Sequence, residues 1–118
     1  MARILLCDDA IFVRQTIAKI LMTTEHEVVG EASNGNECIQ QYKLCKPDIV
    51  MMDITMPDMD GIEATKQIVA LDEHAKIIMV SAMGQQEKVF AAIAAGAKDF
   101  IVKPFEPSKI ISCIGKYI

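Results

Sequence analysis

Five short apolar runs punctuate the chain: RILLC at 3–7, EVVGEA at 27–32, DIVMM at 48–52, KIIMV at 76–80 and DFIV at 99–102. Each is followed by a longer segment whose apolar residues recur at helical spacing, so the pattern predicts a strand and a helix repeated five times. Strands that alternate with helices in this way pair in parallel, because each helix carries the chain back across the sheet. The first, third and fourth runs are apolar on both faces, as central strands covered by helices above and below must be. EVVGEA alternates and suits an edge. Boundary residues agree: Gly96 after VFAAIAA ends a helix, Pro107 suits a first helical turn, and Asp60 before Gly61 can cap a helix start. The predicted fold is a doubly wound α/β sheet of five parallel strands with helices on both faces.

Composition adds limits to this picture. The 118 residues are 52% hydrophobic and contain no linker-like segment, which predicts one domain over 1–118 with a full core. No secretion-type apolar segment opens the chain, and nothing approaches the ~20 apolar residues of a membrane span, so a soluble cytoplasmic protein without membrane insertion is expected. A net charge of -4 with no basic stretch argues against nucleic-acid binding by this domain. Cys7, Cys38, Cys45 and Cys113 form no C-x-x-C pair and have no His neighbours, which predicts four reduced, buried thiols. His26 and His74 lack ligand-spaced companions and are expected at the surface.

Ligands of doubly wound sheets sit outside the carboxyl ends of the strands, so the last residue of each run carries the chemistry. There stand Asp8 and Asp9 after the first run, Asp53 after the third, Ser81 after the fourth and Lys103 after the fifth. Two unit charges about 4 Å apart repel by roughly 4 kcal/mol at an effective dielectric of ~20, and a hard divalent cation relieves such an acidic cluster. Mg²⁺ takes oxygen ligands, one or two carboxylates among them, together with waters and a phosphate oxygen. Asp53 stands alone at its strand end and can attack phosphorus as a carboxylate nucleophile, while Mg²⁺ and Lys103 neutralise the transferring oxygens and Ser81 bonds one of them. Simpler roles compete. A single acid at position 8 or 9 could cap the helix that starts near Ile11. Asp58 and Asp60, framed by Pro57 and Gly61, read as turn and cap residues. Most of the eight methionines read as core, with Met56, Met59 and Met83 possible at the rim of the site.

The ordered set C-D-D, D-I-T-M-P-D-M-D-G, S-A-M-G and K-D-F-I-V-K-P-F resembles the response-regulator receiver family, in particular its single-domain chemotaxis members, over essentially the whole chain. The resemblance implies a strand order of 2-1-3-4-5. It implies that Asp53 is the phosphoacceptor and that Asp9, Asp53 and the Thr55 backbone carbonyl bind Mg²⁺, with Asp8 assisting through water. Ser81 and Lys103 fall on the family's phosphate-sensing hydroxyl and phosphate-binding lysine. It further implies that the aromatic at position 100 is the switch; Phe100 lacks the phenol hydroxyl that family members often carry there, so the implied switch would work by packing alone. Positions 55 and 83, Thr and Met here, are associated in the family with dephosphorylation rate.

In function, the resemblance implies a phosphorylation-activated, monomeric signalling protein of a two-component system. It would not be an enzyme beyond catalysing its own phosphorylation and dephosphorylation. The implied partners are a sensor or chemotaxis histidine kinase, a flagellar motor switch protein and phosphatases. Three alternatives compete with this reading. The chain could be a receiver cut from a longer regulator with a DNA-binding output. An aspartyl-nucleophile phosphatase would carry a second Asp at position 55, where Thr stands, and a flavin carrier of this fold would place phosphate against Asp8 and Asp9.

Overall fold

A computed structural model describes residues 1–118 as ten alternating elements: β1 Arg3–Cys7, α1 Ile11–Leu21, β2 Glu27–Ala32, α2 Gly35–Cys45, β3 Ile49–Asp53, α3 Gly61–Leu71, β4 Ile77–Ala82, α4 Gln86–Ala95, β5 Asp99–Lys103 and α5 Pro107–Gly115. The strands form one parallel sheet in the order β2-β1-β3-β4-β5. The chain therefore winds outward in both directions from β1, and the loops after β1 and β3 open onto the same crevice.

Successive residues of each central strand feed opposite cores, because side chains alternate across a sheet. Leu5, Cys7, Val50, Met52, Ile77 and Met79 pack with residues of α2, α3 and α4, such as Cys38, Ile68 and Ala92. Ile4, Leu6, Met51, Ile78 and Val80 pack on the other side with Ile17 and Leu21 of α1 and Ile110 and Ile114 of α5. This two-sided burial explains the unbroken apolar runs, and the more exposed β2 and β5 lie at the edges, β2 as its alternation predicted.

The third and fourth strands begin one residue later than their apolar runs suggest. The Asp48 carboxylate accepts the Arg3 N–H at 2.8 Å and so belongs to the approach to β3. At the other end the ladders continue further: β3 closes on Asp53, β4 on Ala82 after Ser81, and β5 on Lys103. Asp53, Ser81 and Lys103, the candidate site residues at these strand ends, are thus held by the sheet itself. Asp60 caps α3 by accepting from Glu63 N–H, Gly96 ends α4 at φ 120°, and Pro107 is the first residue of α5.

Two expectations are corrected. Cys7 of β1 and Cys38 of α2 are joined as a disulfide, with Cα atoms 6.1 Å apart, whereas Cys45 and Cys113 remain thiols. The reason is tertiary: α2 crosses the face of β1 toward which Cys7 points, a proximity that a separation of 31 residues conceals. His26 is half-buried, and its Nδ1 accepts the Ala2 N–H at 3.0 Å, which ties the N-terminus to the start of β2. His74 is exposed as expected. No helix is long and apolar enough to cross a membrane.

Candidate functional site

Asp8 leaves the end of β1 buried and firmly oriented. Its N–H donates to the Ala32 carbonyl at 3.0 Å, and its Oδ1 accepts from Ala10 N–H at 2.9 Å. Arg14 Nη1 donates to the Asp8 carbonyl at 2.6 Å, while Arg14 Nε is itself held by Glu31 at 2.8 Å. Neither acid caps the following helix: its N-cap residue is Ala10, and no side chain accepts from the N–H groups of the first turn. Asp9 is exposed, and Asp53 closes β3 at 7% exposure.

One carboxylate oxygen from each of Asp8, Asp9 and Asp53 can lie within 4.8 Å of the others. Lys103 Nζ reaches over from β5 to within 3.0 Å of Asp8 Oδ2 and 3.5 Å of Asp53 Oδ1. One ammonium does not balance three acids. Burial first, and then the charge of Asp8, push the Asp53 carboxyl up to about 6; Lys103 opposes the shift and Asp9 adds to it. A site with a surplus of anionic, hard oxygen donors at a surface crevice fits a hard divalent cation, and these three acids could hold one.

The sheet places Ser81 beside this cluster, since Asp53 pairs with Val80 across β3 and β4. Ser81 is 1% exposed, and its Oγ has no hydrogen-bond partner. A buried hydroxyl without a partner is rare, because leaving it unpaired costs roughly 1–3 kcal/mol. Phe100 of β5 points outward at 42% exposure, leaving a cavity of about 290 Å³ between Ser81, Val89, Phe90 and itself. Of the three methionines considered for the rim, Met83 is exposed beside this cavity, Met59 is half-buried against the core, and Met56 is buried within it. Lys103 is followed by a cis Lys103–Pro104 peptide.

Three supporting residues carried no clear sequence signal. Arg14 holds the Asp8 backbone from α1. Gly61 donates its N–H to the Ile54 carbonyl at 2.7 Å, and a Cβ there would collide with the Asp53 carbonyl oxygen. Gln85 Oε1 accepts from Ala82 N–H at 2.8 Å while its Nε2 donates to Thr55 Oγ1 at 3.1 Å, joining the loops after β3 and β4. Of these, only Gly61 was readable in part, as the residue after a cap.

With this geometry in view, the family model of the response regulator receiver domain matches residues 4–115. The chain belongs to the response regulator receiver family. This receiver domain is 55% identical over 114 residues to the chemotaxis protein CheY of Thermotoga maritima, covering 97% of this chain and 95% of that protein. It is also 55% identical over 114 residues to CheY of Bacillus subtilis, with the same coverage. Among solved structures, a CheX–CheY–BeF3–Mg²⁺ complex from Borrelia burgdorferi superimposes on it with a TM-score of 0.91 at 34% identity, covering 97% of this chain and 87% of that one. The receiver is thus of the chemotaxis type, a signalling domain of two-component systems.

Proposed function

We propose that this receiver accepts a phosphoryl group on Asp53 and, in the phosphorylated state, binds a target protein of the chemotaxis machinery. The observation that carries the proposal is the juxtaposition of an elevated carboxylate, Asp53, with Lys103 and an unpartnered buried hydroxyl, Ser81. A carboxylate oxygen of Asp53 attacks phosphorus; the bond from phosphorus to the donor, a phosphohistidine nitrogen or an acyl-phosphate oxygen, breaks, and the donor leaves with the electron pair. The product is an acyl phosphate on Asp53. Lys103 Nζ is positioned to pair with a phosphoryl oxygen, and Ser81 Oγ–H supplies a donor to a second. Asp9, Asp53 and the Thr55 carbonyl would hold Mg²⁺ directly, with Asp8 through water, and the bound ion would add positive charge beside the transferring oxygens.

The output follows from the cavity next to Ser81. Drawing the hydroxyl toward a phosphoryl oxygen leaves space that Phe100 can fill by turning inward, which changes the apolar surface formed by Phe90, Phe100 and Val102. The phosphoryl group shifts the balance between the two arrangements only by its differential affinity for them. The kinship with CheY points to a histidine kinase as donor, a flagellar motor switch protein as target and a phosphatase as the route back; the Borrelia relative was solved bound to CheX.

The test is phosphotransfer from a radiolabelled chemotaxis histidine kinase to the wild type and to Asp53→Asn. Label should move to the wild type and be released by hydroxylamine, which cleaves acyl phosphates. Label retained by the kinase, or transferred equally to the variant, contradicts the assignment.

A further inference from the structure

The loop between β4 and α4 is held by little except one side chain. Gly84 sits at φ 86° with open space on the side where a Cβ would lie, and Met83 is exposed. Gln85 occupies the residue before the first turn of α4, yet its side chain does not cap that helix. It turns instead to the strand ends, accepting from Ala82 N–H and donating to Thr55 Oγ1. Both partners are neighbours of the proposed chemistry: Ala82 follows Ser81, and Thr55 lies two residues after Asp53.

We propose that Gln85 is a positioning residue that latches the unphosphorylated arrangement, engaging Ala82 N–H through its amide oxygen and anchoring to Thr55. The proposal rests on the reading of Asp53 as phosphoacceptor. The Gln85 bridge fixes the backbone at Ala82, the residue adjoining Ser81, against the loop that follows Asp53. The same N–H that Gln85 engages is a donor beside Ser81. An anionic phosphoryl oxygen accepts hydrogen bonds more strongly than a neutral amide oxygen, so phosphorylation releases the latch by competition. The latch lowers affinity for the phosphoryl group by about what one partly exposed hydrogen bond contributes, roughly fivefold.

The experiment is a titration of ¹⁵N-labelled protein with beryllofluoride, a phosphoryl mimic, in Mg²⁺, followed through the backbone amides of Ser81 and Ala82. Wild type, Gln85→Ala, Thr55→Val and the double variant are compared; Thr55→Val keeps the backbone carbonyl. Amide dispersion in each spectrum verifies folding. Gln85→Ala should bind beryllofluoride about fivefold more tightly, Thr55→Val should move the same way, and the double variant should gain nothing over Gln85→Ala, because one bridge has been broken twice. The Ala82 amide should also shift in free Gln85→Ala. Equal or weaker binding by Gln85→Ala, or independent additive effects, overturns the latch while leaving Asp53 as phosphoacceptor. A wild type that gives no Mg²⁺-dependent response overturns the phosphoacceptor reading, and the latch with it.

Discussion

Lys103 Nζ lies 3.0 Å from Asp8 Oδ2, so the last strand of the sheet supplies the counter-charge for an acid at the end of the first. The same ammonium is 3.5 Å from Asp53 Oδ1. Removing it leaves two buried acids facing each other. Lys103→Met should therefore unfold more readily than wild type at pH 7 in chelator, by roughly 1–3 kcal/mol, which is less than for a fully buried pair because Lys103 is partly exposed. Urea denaturation checks this, and the deficit should shrink at pH 5, where Asp53 is largely protonated.

Asp53 makes stability depend on pH in a defined direction. Its carboxyl stands near 3.8 in the unfolded chain and near 6 in the fold, so the folded protein binds more protons between those values. The protonated acid is the one the fold tolerates. Its contribution is therefore best below about pH 4, declines as pH rises through 6 and is flat above. Asp53→Asn should match wild type near pH 4 and exceed it at pH 7 by about 1–2 kcal/mol in chelator, allowing for solvent screening. Paired urea titrations of the two proteins across this range isolate the group.

Asp9 is exposed and adds repulsion to Asp53 without bonding anything. Asp9→Ala should raise the metal-free melting temperature by a few degrees, about what 1 kcal/mol or less produces in a domain of this size, and abolish Mg²⁺ binding. Calorimetry with and without Mg²⁺ measures both. A lower melting temperature in chelator would show that Asp9 is held for structure.

Gly61 lets α3 begin against the carbonyl of Asp53. Gly61→Ala should destabilise the protein by about 2 kcal/mol or more, since the obstacle is backbone that cannot step aside. The helix preference of Ala would stabilise an ordinary helix position, so a neutral or stabilised variant in thermal denaturation would mean that the approach is looser than described.

The fold and the five strand-end side chains were legible because both follow from short-range patterns. The unbroken apolar character of RILLC, DIVMM and KIIMV reports burial on two faces, and the strand-end rule then selects Asp8, Asp9, Asp53, Ser81 and Lys103. The strand order came from family resemblance, since periodicity cannot rank parallel strands. What stayed hidden depends on side chains that cross between elements. Nothing about a glutamine in MGQQE signals that it reaches Ala82 and Thr55, and nothing in IFVRQ signals that Arg14 grips Asp8. The pairing of Cys7 with Cys38 and the hydrogen bond at His26 lie outside the local pattern for the same reason: each joins segments whose proximity only the folded sheet creates.

A phosphoryl group on Asp53 is best detected by intact-mass analysis after incubation with acetyl phosphate. Wild type in Mg²⁺ should gain a single phosphoryl adduct, which should be absent in chelator and absent from Asp53→Asn. Folded protein that takes up no phosphoryl group, or a variant that takes it up as wild type does, would contradict the account and leave the acidic cluster with another purpose.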